Sequence, residues 1–138
     1  MNPDLLDTNT CVQYLRGRDR NLIHRVQSRS SAEIRLCSIV VAELYYGAFH
    51  GSPAYTIKNL ALLVIFLPRF VSLPFDDRAA DVFGRLRADL ARKGVMIGPY
   101  DLQIASIALV HGLTLVTHNT REFSHVAGLT LDDWQTSP

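Results

Sequence analysis

The chain has 138 residues, 48% of them hydrophobic and 20% charged, which excludes wholesale disorder and gives enough length for one well-buried core. Its longest apolar run, Leu60 to Leu67 before Pro68, is too short to span a bilayer. A net charge of +1 says little until its make-up is read.

In chain order, residues 4–7 read as a short buried strand that ends on Asp7. Thr8 to Arg16 follows as a helix stopped near Gly17, and Asn21 to Ser28 as a second helix. The stretch from Ile34 begins β-branched, then keeps a helical period through Val41, Leu44, Tyr45 and Ala48. It resolves as a strand ending near Ser38, with Ser38 capping a helix that reaches Phe49. Ser52-Pro53 starts another helix, which runs to about Leu67 and is apolar nearly all round from Leu60. Val71 to Phe75 is a third strand.

Asp76 or Asp77 then caps a long amphipathic helix with Ala79, Phe83, Leu86 and Leu90 inward and Arg78, Arg85 and Arg92 outward, ended by Gly94. After Gly98-Pro99, Asp101 to His111 forms a helix stopped by Gly112. Leu113 to Thr117 is a buried strand, and Leu129 to Leu131 is a candidate for the last. Short apolar strands alternating with helices predict an α/β fold, a central mostly parallel sheet between helical layers in one domain over residues 1–138. In such sheets ligands sit beyond the carboxyl ends of the strands. Asp7 ends the first strand there, His118-Asn119 follows a later one, and Glu43 and Asp101 lie early in helices able to face the same edge.

The start Met1-Asn2-Pro3-Asp4 lacks a signal-peptide pattern, so the expected location is cytoplasmic, with no membrane. Cys11 and Cys37 form no C-x-x-C pair and are expected to be reduced, partly buried thiols. Lys58 and Lys93 are the only lysines; the other basic residues are arginines, and Arg16, Arg18, Arg20, Arg25 and Arg29 crowd into one stretch. Arginine suits bidentate phosphate contact, yet a solvated helix face explains the cluster equally well.

The segments LLDTNTCVQYLRGR, SIVVAELYYGA and IGPYDLQIASIALVHGLTLVTHNTREFSHVAGLTLDDW resemble, in order and spacing, the PIN-domain ribonucleases of the VapC toxin group. Each short motif is weak alone; together they are specific, and residues 17–35 and 50–75 are the least distinctive. The resemblance implies a PIN-like three-layer fold in which Asp7, Glu43 and Asp101 are acidic ligands of Mg²⁺ or Mn²⁺. Thr8 matches a supporting hydroxyl. Asn119 stands where many relatives carry a fourth acid, which leaves the number of metals open. The same resemblance implies an endoribonuclease toxin that cuts RNA, structured RNA such as tRNA, is neutralised by a VapB-type antitoxin and forms a homodimer.

The chemistry suits those residue types. A phosphodiester is anionic and water attacks it poorly, so a hard cation held by carboxylates supplies both charge neutralisation and an acidified water. No G-x-S-x-G or P-loop offers a rival mechanism. Each residue also has a plainer use. Asp7 is a helix cap, Asp101 a first-turn acid favoured by the helix dipole, and Asn119 a turn residue. Arg121 either reaches RNA phosphate or pairs with Glu122, with a structural role favoured. His118 and His125 are candidate bases that a metal site does not need, and at least one of Tyr45 and Tyr46 is expected in the core. Two rival functions remain: a metal-dependent DNA nuclease, and a catalytically weak nucleic-acid-binding module acting within an antitoxin–DNA complex.

Overall fold

The computed structural model describes residues 2–136. Its five strands are Asp4–Leu6 (β1), Ile34–Cys37 (β2), Val71–Leu73 (β3), Thr114–Val116 (β4) and Thr130–Asp132 (β5). All pair in parallel, in the order β3-β2-β1-β4-β5. Leu5, Leu6, Ile34, Leu36, Leu115 and Val116 are all buried, as strands covered on both faces must be.

Seven α-helices flank the sheet: Thr8–Arg16 (α1), Arg20–Gln27 (α2), Ser38–His50 (α3), Pro53–Phe66 (α4), Asp77–Arg92 (α5), Pro99–His111 (α6) and Thr120–Phe123 (α7). Short 3₁₀ turns at Ser31–Glu33 and Leu67–Arg69 lead into β2 and β3. Helices α1 and α6 end on Gly17 and Gly112, whose φ of 71° and 63° place them in the left-handed region where a side chain is disfavoured. Among the described residues no helix is long and apolar enough to cross a membrane.

Several boundaries differ from the sequence reading. Cys37, not Ser38, occupies the cap position of α3, and it makes no side-chain cap bond. Ser38 is instead the first helical residue, and its hydroxyl accepts the Phe75 N–H at 3.2 Å, tying the exit of β3 to the start of α3. The choice at α5 falls to Asp76, whose Oδ1 accepts the Ala79 N–H at 3.0 Å. Helix α6 starts at Pro99, two residues before the expected start, because proline's missing N–H costs nothing in a first turn. Helix α7 was not expected at all.

Two of the clustered arginines turn inward. Arg29 donates to Asp4 at 3.2 Å and lies 4.1 Å from the Trp134 ring centre; Arg25 pairs with Asp132 at 3.7 Å. Arg16, Arg18 and Arg20 stay exposed. Tyr45 and Tyr46 are both exposed, stacked along α3 on Phe49 and His50, so neither serves the core. Cys11 and Cys37 are free and wholly buried; burial pushes the Cys37 thiol up to about 11 and Cys11 well above its ordinary range.

The chain leaves β1 toward β2 and β3, then returns to the opposite side of β1 with β4 and β5. Between β1 and β4 the direction of winding reverses, and the loops beyond their carboxyl ends part to leave a crevice.

Candidate active site

Asp7 follows directly after β1, at that crevice, and is 5% exposed. Its Oδ1 accepts the Thr10 N–H at 2.8 Å and so caps α1. Capping occupies one carboxylate oxygen and leaves Oδ2 outside the cap. The Asp7 N–H donates to the Val116 carbonyl at 3.1 Å, and the Thr10 hydroxyl donates to the same oxygen at 3.2 Å. These bonds bolt the start of α1 to the end of β4.

Glu43 lies in the second turn of α3, where its Oε1 accepts the Thr8 hydroxyl at 2.5 Å. Asp101 is the third residue of α6. Asp7, Thr8, Glu43, Asp101 and Asn119 line one cleft of about 460 Å³, with Asn9, Val12 and Phe123. Five of the six residues singled out from the sequence therefore come together. Arg121 does not line the cleft; it is exposed and forms no ion pair with Glu122.

Glu122 is otherwise engaged. Its Oε2 accepts the Asn119 amide at 2.6 Å and its Oε1 accepts the Gly98 N–H at 3.4 Å. A protonated Asp101 could also donate to it, and its charge helps raise the Asp101 carboxyl. Glu122 is the functional candidate that the sequence reading passed over. Its signal was spacing, since Asn119 and Glu122 are one helical turn apart. His118 bonds Asp133 through Nδ1 at 2.9 Å and does not line the cleft, and His125 is exposed.

Burial, followed by the charges of Glu122, Asp7 and Glu43 and the hydrogen bond that protonated Asp101 donates to Glu122, raises the Asp101 carboxyl from 3.8 to about 6. An acid whose folded value is raised binds its proton more tightly in the native state. Between 3.8 and about 6 the folded protein holds a proton that the unfolded chain has released. Asp101 thus favours folding below this window and loses that contribution as pH rises through it. The metal-free protein is expected to melt at falling temperature as pH climbs from 4 to 6, with Asp101→Asn flattening the slope; an unchanged slope in the variant refutes the assignment.

Among the described residues, no three Asp, Glu, His or Cys side chains are gathered tightly enough to form a ready metal-holding group. The donor chemistry nonetheless suits a hard divalent cation: all the charged groups lining the cleft are carboxylates, and their charges add to burial in raising Asp101.

A family model described as PIN domain matches residues 5–129. The chain belongs to the PIN domain family. The tRNA(fMet)-specific endonuclease VapC of Salmonella typhimurium is 39% identical over 94% of this PIN domain chain and 96% of its own. A crystal structure of DNA-bound VapBC from Salmonella typhimurium superposes with a TM-score of 0.89 at 40% identity, covering 97% of this chain and 99% of that one. VapBC2 from Rickettsia felis, bound to a promoter DNA fragment, gives a TM-score of 0.87 at 34% identity over 95% and 98%. In this PIN domain the edge that carries Asp7, Glu43 and Asp101 is the carboxyl edge of the sheet at its winding reversal.

Proposed function

We propose that the protein is a metal-dependent endoribonuclease toxin of the VapC kind. It acts as a single nuclease domain in the cytoplasm, hydrolyses phosphodiester bonds in structured RNA such as tRNA, and is neutralised by a VapB-type antitoxin. The observation that carries this reading is the meeting of Asp7, Glu43 and Asp101 at one cleft, together with the likeness of nearly the whole chain to a named tRNA endonuclease.

Mg²⁺ or Mn²⁺ would be held by Asp7, Glu43 and Asp101. When bound, such an ion neutralises the phosphate's charge and acidifies water. The chain's own residues prepare that site. Thr8 fixes the Glu43 rotamer through its hydroxyl, and the Thr10 N–H fixes Asp7. Asn119 holds Glu122 beside the site, where the Glu122 charge bears on Asp101, which makes Asn119 a positioning residue for Glu122. Phe123 and Val12 form the apolar part of the wall.

Partner binding has a surface available to it. Tyr46 and Phe49 on α3, and Ile57, Val64 and Ile65 on α4, are all exposed. We assign these two packed helices to a protein interface, with the antitoxin or within a homodimer, because large apolar side chains left exposed in such number favour association.

Purified, antitoxin-free protein offered total tRNA and, separately, duplex and single-stranded DNA should cut only the RNA, and only when Mg²⁺ or Mn²⁺ is added. Cleavage of DNA would favour the DNA-nuclease alternative. No cleavage of either polymer with metal present would favour a non-catalytic binding module.

Asn119→Asp tests the arrangement around Glu122. The new carboxylate faces Glu122 where the amide now donates to it, so the metal-free melting temperature should fall. Mn²⁺ affinity, read by titration calorimetry, should rise by roughly tenfold, the scale on which groups supporting a metal site act. Unchanged affinity would restrict Asn119 to shaping the turn.

A further inference from the structure

The acid cleft does not end at Glu43. Val12 and Glu43 also line a second space of about 460 Å³, an open groove between α1, α3 and α4, so the two spaces share a wall. Their chemistry is different. The groove has an apolar floor that includes Leu15, Leu44 and Leu63, and its polar groups are Arg16, Lys58 and Asn59. Apart from Glu43 at the junction, it contains no acid.

Among the described residues Arg16 and Lys58 form no ion pair, in contrast to Arg25 and Arg29, which are committed to Asp132 and Asp4. The Asn59 side chain makes no hydrogen bond to another described residue. Two uncommitted cations, an apolar floor and an amide therefore adjoin a cleft built to receive a phosphodiester. The volume lies in the range of small-ligand sites.

We propose that this groove is a nucleotide subsite for RNA: it takes the unpaired nucleotide next to the scissile phosphate. The base lies on the Leu15–Leu44–Leu63 surface, its edge meets Asn59, and the adjoining phosphate meets Arg16 and Lys58. This inference rests on the ribonuclease reading above and deepens it. Continuity with the acid cleft and the sign of the charge select RNA over an apolar peptide. Recognition of RNA sequence generally targets splayed-out, unpaired bases, which can lie in an open groove with an apolar floor.

Gly47 supplies a clean test. It lines the groove from α3, and a Cβ built there meets no atom within 4 Å. Gly47→Leu therefore places a bulky side chain at the groove with no clash at its Cβ, and improves helix propensity. The experiment compares wild type, Gly47→Leu and the double variant Arg16→Ala/Lys58→Ala. Three quantities are measured: steady-state cleavage of total tRNA with Mg²⁺, tRNA binding in EDTA across a salt series, and thermal melting.

Both variants should melt no lower than wild type yet bind tRNA about tenfold more weakly, with KM rising far more than kcat falls. The double variant should also lose about one to two units from the slope of log affinity against log salt, while Gly47→Leu keeps the slope. Wild-type cleavage and binding in both variants overturns the subsite, and it does so even if antitoxin binding is weakened, since the groove would then serve the protein partner. A wild type that neither binds nor cuts RNA overturns the ribonuclease reading itself, a separate outcome.

Discussion

Asp7→Asn is expected to abolish RNA cleavage while leaving the protein folded. The two roles of Asp7 separate cleanly in this variant. Asparagine caps a helix about as well as aspartate, so the bond to the Thr10 N–H survives and α1 stays anchored. The charge does not survive, and a neutral oxygen is a poor ligand for a hard cation. Removing one of several crowded carboxylates also relieves repulsion, so the metal-free variant should be at least as stable as wild type. Added Mg²⁺ or Mn²⁺ should raise the melting temperature of the wild type more than that of the variant, because only binding to the native state stabilises it. Thermal melts with and without metal, run beside a tRNA cleavage assay, distinguish this from a general lesion, in which stability and activity fall together. An active Asp7→Asn protein would end the metal-site reading.

Trp134→Ala should produce the largest loss of stability, about 3–5 kcal/mol, the range for removing a fully buried aromatic side chain. Trp134 is 1% exposed, its indole N–H donates to Asp132 at 3.0 Å, and the Arg29 guanidinium stacks on its ring. Truncation opens a cavity and deprives Arg29 of its platform at the same time. Arg29 also bonds Asp4 in β1, so the lesion reaches the central strand. Urea unfolding would measure it. Trp134→Phe should recover part of the loss, since the ring packing returns without the hydrogen bond to Asp132. A cost below about 1 kcal/mol for the alanine variant would mean that this end of the chain contributes little to the fold.

The alternation of apolar strands with helices was legible because each strand is short, buried and punctuated, and the carboxyl-edge rule then placed Asp7 correctly beside the later strand. Pairings across long sequence separation were not legible. Arg25 and Arg29 read as a possible phosphate-binding cluster because their partners, Asp132 and Trp134, lie more than a hundred residues away in sequence. Helix α7 spans only Thr120–Phe123, too short for an apolar period to show. With α7 unseen, Glu122 read as a partner for Arg121 rather than for Asn119. Ser38 has the composition of a cap, but the fold uses its hydroxyl to receive Phe75, a contact between segments that no local pattern encodes.

The position of β1 in the middle of the sheet has a consequence for how the protein is made. The chain emerges from its N-terminus, so β1 can pair with β2 and β3 early, while its other edge waits for β4. During that wait Asp7 and Glu43 already exist, but Asp101 is only then being added and Asn119 and Glu122 have not been synthesised. At about 5–20 residues per second, the interval between the first acid and the last is roughly 6 to 23 seconds. A ribosome-bound fragment therefore carries an unfilled sheet edge and an incomplete set of acids. Such a fragment should be prone to aggregation through that edge, and its cleft is complete only once β4 and the segment after it have been made and docked.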